Sequence, residues 1–165
     1  MLIKLDMENA FDKVNFSFLF LVLRSFGFIP ALINLIKECI DKPWIVPLVN
    51  GIPINFFQAT RGLRHGCPLS PFLYILMVDS LSRKLTAGKN VGIILGISPS
   101  VGVESINHAL FADDTLLLGG ASLNMARVFS DIMNQFCIIS GALINIRKSV
   151  VYCWNVDQST VTNIS

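Results

Sequence analysis

Phe111-Ala112-Asp113-Asp114-Thr115 decides how this chain is read. Two adjacent carboxylates stand between an apolar run over residues 106–111 and the run Leu116-Leu117-Leu118. Burying an unpaired charge costs several kcal/mol, so a hydrophobic segment holds two neighbouring anions only where something neutralises them. Water at a hairpin turn does so, and so does a bound divalent cation. A third carboxylate, Asp6, closes the apolar amino-terminal run Met1-Leu2-Ile3-Lys4-Leu5. Three carboxylates converging from two strands form an all-oxygen holder suited to a pair of magnesium ions.

Outward from that turn, the pattern predicts short strands and amphipathic helices. A strand over residues 1–5 ends at Asp6, and Asn15 or Ser17 caps a helix running to about Phe28. Pro30 opens a second helix that carries Ile33, Ile36 and Ile40 on one face. Asn50-Gly51 between the β-rich runs 44–49 and 52–58 predicts a hairpin, because both turn residues must accept positive φ. Ser70 caps a third helix with Pro71 at its first position, and that helix stops near Gly88. A strand over 104–111, the Asp113-Asp114 turn and a strand over 115–118 follow. A helix over 122–140 ends at Gly141, and two short strands over 143–146 and 150–154 close the chain. The class is α+β: an antiparallel sheet carrying the carboxylates, packed against helices, with an inserted β-hairpin.

Bulk properties set limits. The 165 residues suggest one domain, and a hydrophobic content of 53% allows a sizeable core. The longest charge-free stretch, 43–60, is broken by Pro47, Asn50-Gly51 and Pro53. It therefore falls short of the ~20 uninterrupted apolar residues of a spanning helix. No secretory leader is expected either. A net charge of +2 neither requires nor excludes a nucleic-acid partner. Cys39, Cys67, Cys137 and Cys153 lack metal-ligand spacing and read as buried free thiols in a reducing, intracellular compartment.

Four stretches, in order, carry a family resemblance. They are Lys4-Leu5-Asp6-Met7-Glu8-Asn9-Ala10-Phe11-Asp12; Arg61-Gly62-Leu63-Arg64-His65-Gly66-Cys67-Pro68-Leu69-Ser70-Pro71; Phe111-Ala112-Asp113-Asp114; and Ser140-Gly141 through Asn145 to Lys148-Ser149. Each alone is weak; together they span about 145 residues and are specific. The chain resembles the palm of reverse transcriptases, most closely those of plant non-LTR (LINE-type) retrotransposons. A group II intron maturase or telomerase-like palm shares the carboxylates but fits residues 64–71 less well.

The resemblance implies RNA-directed DNA polymerisation, in which a primer 3′ hydroxyl attacks the α-phosphate of a dNTP. It implies two Mg²⁺ ions bridged by Asp6 and Asp113, with Asp114 helping to hold the site and the Met7 carbonyl completing one shell. Phe11 matches the steric gate that rejects a ribose 2′-hydroxyl, and Ala10 is the small residue that lets it approach. Gly66 permits close approach of backbone to nucleotide, and Arg64 offers a cation to phosphate or template base. Lys148 matches a general acid for the departing pyrophosphate. Two residues depart from the family's habit: Asn9 stands where lysine is usual, and His65 where glutamine commonly contacts the nucleotide. The implied partners are an RNA template, a DNA primer and dNTPs, with no membrane.

Each residue also has an ordinary reading. Asp113-Asp114 alone is a solvated turn, Asp6 a strand-end aspartate, Phe11 a core residue and Lys148 an exposed lysine beside Arg147. Ser70-Pro71 is capping, His108 packs or pairs, and Trp44 and Trp154 are core or sheet-face residues. Residues 1–165 are expected to be a partial polymerase domain without the fingers, thumb or endonuclease of a parent polypeptide. Such a palm is expected to polymerise poorly in isolation. The rival reading is a truncated, inactive retroelement remnant with at most residual metal or nucleic-acid binding.

Overall fold

The computed structural model describes residues 1–164. In chain order the elements are β1 (Leu2–Asp6), α1 (Phe16–Ser25), α2 (Pro30–Ile40), β2 (Trp44–Ile45), β3 (Leu48–Val49), β4 (Ile52–Pro53) and β5 (Phe57–Gln58). Then come α3 (Ser70–Asn90), β6 (His108–Phe111), β7 (Asp114–Leu118), α4 (Leu123–Ser140), β8 (Val150–Tyr152) and α5 (Gln158–Ile164). One antiparallel sheet has the order β6-β7-β1-β8, and two small ladders, β2-β5 and β3-β4, form the inserted hairpin. The α+β arrangement is the one expected.

Side chains alternate across a strand, and the central sheet uses this to divide its faces. Thr115 and Leu117 of β7 are buried, with Ile3, Leu5 and Val151 packed on the same core. Under them lie Leu19 and Leu23 of α1, Leu73, Met77, Leu81 and Leu85 of α3, and Phe129 and Met133 of α4. The other face carries Lys4, Asp6 and Asp114, with Asp6 directly opposite Asp114 in the ladder. That face also holds the half-buried Leu2, Leu116 and Leu118, but packing Ile3, Leu5, Thr115 and Leu117 on the core is what turns the carboxylates away from it.

Helix ends follow the cap chemistry. Asn15 Oδ1 accepts from the Phe18 N–H, Ser122 Oγ accepts from the Met125 N–H, and Gly141 ends α4 at φ +80°. A Cβ on Gly141 would lie 2.5 Å from the Lys13 carbonyl oxygen, so this glycine also lets α4 meet the loop after β1.

Several expectations are corrected. The α3 cap position is Leu69, with no side-chain cap bond, and Ser70 lies buried inside the first turn. The tight turn is Ala112-Asp113, with Ala112 at φ +52°, so Asp114 begins β7 rather than ending a turn. The long hairpin splits in two because Pro47 and Pro53 have no N–H to give a ladder. The strand over 104–111 shortens to β6. Residues 143–146 form no strand, and a single bridge joins Met7 to Ile144. Trp44 is 67% exposed and Trp154 is exposed as well, so neither belongs to the core. The cysteines are free as expected, but Cys39 is exposed and the other three only partly covered. No helix among the described residues is long and apolar enough to cross a membrane.

Candidate active site

The site is built where β1 ends. The Met7 N–H donates to the Asp113 carbonyl at 2.9 Å, tying the residue after Asp6 to the β6–β7 turn. On the other side, the Asn145 N–H donates to the Asp6 carbonyl at 2.9 Å and the Glu8 N–H to the Leu143 carbonyl at 2.8 Å. Ser149 Oγ accepts from the Asp6 N–H at 3.2 Å and donates to the Asn145 carbonyl at 2.8 Å. Two segments distant in sequence, the turn at 113 and residues 143–149, are thus bound to one strand end, mostly by backbone bonds. The Met7 carbonyl takes no hydrogen bond from the described residues.

These bonds frame an open cleft of about 430 Å³. Asp6, Met7, Ala10, Phe11, His65, Asp113 and Lys148 line it, and so do Glu8, Asp12 and Asn145. Seven sequence-predicted residues are therefore brought together. Asp114, Arg64 and Gly66 are not among the lining residues. Asp114 lies on the sheet's outer face, where Lys4 Nζ meets its Oδ2 at 3.0 Å. That hydrogen bond raises the Lys4 ammonium pKa above its ordinary value, with the charge of Asp114 adding to it. Arg64 lines a neighbouring cleft. Gly66 owes its identity to φ +77° rather than to crowding, since a Cβ there would meet nothing within 4 Å.

Asp6 is the sheltered carboxylate, its side chain 14% exposed, and Lys148 Nζ stands 4.0 Å from its Oδ1. Phe11 stacks on Tyr74 of α3 with ring centroids 4.9 Å apart, and His65 leans on Phe11 from 5.6 Å. Tyr74 is buried, and its hydroxyl pKa is pushed up to about 12, by desolvation first and by the charge of Asp113 second. His65 Nε2 pairs with Asp12 Oδ1 at 3.0 Å. A Cβ on Gly62 would lie 2.7 Å from the Asp12 carbonyl oxygen, so that glycine lets the second motif pack on the first. Asn9 holds φ +46°, a conformation asparagine accepts more readily than lysine does.

Asp12, Tyr74, Asn145 and Ser149 were missed as site residues. For Tyr74, four residues after Ser70, the helical period placing it on the inward face of α3 was an available signal. Asn145 and Ser149 stand within the fourth motif without an assigned role, because their bonds to Asp6, more than 130 residues away, show only in the fold.

The donor set fits magnesium in kind. Two carboxylates and an unshared backbone carbonyl are hard oxygen ligands, and Mg²⁺ keeps several of its waters. Among the described residues no three His, Cys, Asp or Glu side chains gather closely enough to hold a metal ion by themselves. The ammonium groups of Lys4 and Lys148 are the cations that stand nearest the three aspartates.

Comparisons with known proteins agree on the family. A family model described as Reverse transcriptase (RNA-dependent DNA polymerase) matches residues 1–163. The chain is 42% identical over 72 residues to an uncharacterized mitochondrial protein of Arabidopsis thaliana, covering 44% of this chain and 59% of that one. It is 30% identical over 149 residues to the retrovirus-related Pol polyprotein from type-1 retrotransposable element R2 of Popillia japonica, covering 90% of this chain and 20% of that one. The chain thus spans less than two thirds of these relatives. In fold it is similar to apo telomerase from Candida tropicalis truncated from its C-terminal domain. The TM-score is 0.65 at 17% identity, over 95% of this chain and 31% of that one. Likeness at so low an identity shows the fold alone.

Proposed function

The chain belongs to the reverse transcriptase (RNA-dependent DNA polymerase) family, and from that membership we propose that it supplies the palm of an RNA-directed DNA polymerase of non-LTR retrotransposon type. The family uses divalent metal ions; the finer reading is two Mg²⁺ held by Asp6 and Asp113, with the Met7 carbonyl as a further ligand. The single observation that carries it is the meeting of Asp6 and Asp113 in one cleft with Phe11 and Lys148. Bound there, the ions would lower the pKa of an attacking hydroxyl and stabilise the charge of the leaving pyrophosphate.

The chain's own residues do the rest. Phe11, backed by Tyr74, is the flat wall under the nucleotide sugar that leaves no room for a 2′-hydroxyl. His65, held by Asp12, closes the wall beside it. Lys148 donates a proton toward the leaving phosphate oxygen and is a cation in the meantime. Asp114, opposite Asp6 on the same face but occupied by Lys4, contributes charge rather than a ligand oxygen. Template RNA, DNA primer and dNTPs are the partners, and positioning them supplies much of the rate in phosphoryl transfer. Because this chain matches 20% of the R2 polyprotein, segments of a longer polypeptide are proposed to complete that grip.

A second reading is favoured by the two lysine contacts: a remnant whose carboxylates are neutralised by Lys4 and Lys148 and never take up metal. Manganese titration of the chain, followed by water proton relaxation beside primer extension on RNA with dNTPs, separates the two. Metal binding lost in both Asp6→Asn and Asp113→Asn, with any extension lost alongside, supports the polymerase palm. Metal affinity indifferent to both substitutions overturns it and leaves the remnant.

A further inference from the structure

A serine inside a helix commonly returns its hydroxyl to a carbonyl one turn earlier. Ser80 of α3 does so, donating to the Met77 carbonyl at 2.6 Å. Ser82, two residues on, does not. Its Oγ stands 2.7 Å from Nε2 of His108, on the edge strand β6. The other ring nitrogen, Nδ1, lies 2.8 Å from Asn107 Oδ1. None of these three residues lines the carboxylate cleft.

The chain of bonds fixes which atom carries which proton. The Asn107 amide nitrogen donates to the Leu85 carbonyl at 2.8 Å, so its oxygen is the atom turned to the imidazole. Asn107 is 4% exposed, and burial holds that orientation. An amide oxygen only accepts, so Nδ1 carries the hydrogen and Nε2 keeps its lone pair. The Ser82 hydroxyl is therefore the donor to Nε2. Desolvation first and the charge of Lys89 second hold the His108 pKa below 6.5, which leaves the imidazole a neutral base at pH 7.

The hydroxyl also faces a space where it can act. Residues four apart share a helix face, and Tyr74, Val78 and Ser82 form such a row along α3. With Ile75 and with Leu110 of β6 they line a pocket of about 200 Å³. Asp79 lines it too, its carboxylate engaged by Arg83 Nε at 2.8 Å. A small apolar group placed there meets a hydroxyl with a base behind it.

We propose that Ser82 is a nucleophile toward small apolar carboxylic esters, with His108 as its general base and Asn107 as the positioning residue that sets the imidazole tautomer. A nucleophile and a base within hydrogen-bond reach, the base oriented by a third group, is the arrangement that activates a serine. An amide serves as that third group as a carboxylate does. In the reaction, Oγ bonds the ester carbonyl carbon while its proton passes to Nε2. The ester C–O bond breaks, and the alcohol leaves with that proton. Water then attacks the acyl carbon and gives a proton to Nε2; the acyl–Oγ bond breaks, and Ser82 takes the proton back as the acid departs. This activity is separate from the polymerase reading and does not rest on it.

The test is labelling of the chain with diisopropyl fluorophosphate, located by mass spectrometry, beside hydrolysis of p-nitrophenyl butyrate. In labelling, Ser82 Oγ displaces fluoride from phosphorus and its proton again goes to Nε2. General-base assistance contributes about 10²–10⁴-fold, so Ser82 is expected to be labelled at least about a hundredfold faster than Ser80. His108→Gln is expected to remove that advantage, and Ser82→Ala to abolish ester hydrolysis above the buffer rate. Nitrogen-15 NMR reads the tautomer of His108, expected with Nδ1 protonated, and Asn107→Leu is expected to shift it toward the Nε2–H form. Circular dichroism checks the folding of each variant. Labelling of Ser82 no faster than of Ser80, labelling indifferent to His108→Gln, or a wild-type His108 protonated at Nε2 overturns the proposal.

Discussion

The Met7 N–H donates to the carbonyl of Asp113 at 2.9 Å, across a separation of more than a hundred residues. That bond, more than either carboxylate, fixes the β6–β7 turn against the end of β1. The turn depends in its other half on Ala112, held at φ +52°. A β-branched residue resists that conformation, so Ala112→Val is expected to destabilise the fold by about 2 kcal/mol. It is also expected to weaken manganese binding although no ligand is changed. Thermal melts and metal titration of this variant check both.

Phe11 lies on Tyr74 at 4.9 Å, so the proposed gate is a two-ring stack. Phe11→Val opens space under the sugar and is expected to cut the kcat/KM preference for dNTP over NTP roughly tenfold or more. Tyr74→Ala empties a buried site and is expected to cost about 3–5 kcal/mol of stability, while Tyr74→Phe keeps the stack. A preference unchanged in Phe11→Val removes the gate assignment.

Lys148 touches Asp6 only at 4.0 Å and is 69% exposed. Lys148→Met is expected to leave the melting temperature unmoved, since exposed pairs contribute little. The same variant should raise manganese affinity by removing a competing cation. In extension assays it should lower kcat with little change in KM, as loss of a proton donor acting only in the chemical step would.

His108 is half-buried between Ser82 Oγ at 2.7 Å and Asn107 Oδ1 at 2.8 Å. Desolvation first, and Lys89 second, hold its pKa below the ordinary 6.5. The folded state therefore binds this proton less readily than the unfolded chain. Its contribution is complete above the unfolded value and drains away as pH falls from there through the lower folded value. Melting temperature is expected to drop on acidification across that window, and His108→Gln to blunt the drop.

Gly141→Ala meets the Lys13 carbonyl at 2.5 Å in a left-handed backbone. The expected loss is about 3 kcal/mol, or about 6–12 °C in melting temperature for a chain of this size.

Caps and tight turns were the legible part of this fold. Asn15, Gly141 and Asn50-Gly51 act within a few residues of themselves, so their chemistry is written locally, whereas Ser122, expected inside its helix, is in fact the cap before it. Ser70 misled because a buried serine one position inside α3 has the same neighbours in sequence as a capping one. The aromatics Trp44 and Trp154 were assigned by residue type, whereas exposure is settled by what the rest of the chain leaves uncovered. Helix α5 is preceded by Asp157, whose carboxylate accepts from the Ser159 and Thr160 hydroxyls and from the Thr160 backbone N–H, as a capping aspartate does. In the site, Asp6, Asp113 and Phe11 are assigned by the family resemblance of short motifs, and the fold brings all three into one cleft. The Lys4–Asp114 contact was not legible, because it depends on the register of two strands more than a hundred residues apart.

Strand β1 has no partner near it in the chain: Leu2 pairs with Leu118 on one side and Tyr152 on the other. During synthesis at about 5–20 residues per second, this greasy strand waits on the order of ten seconds after it is made before either edge can be covered. The newborn polypeptide is a natural client for ribosome-bound chaperones, and any early stop before β7 leaves an aggregation-prone stub instead of a smaller folded protein.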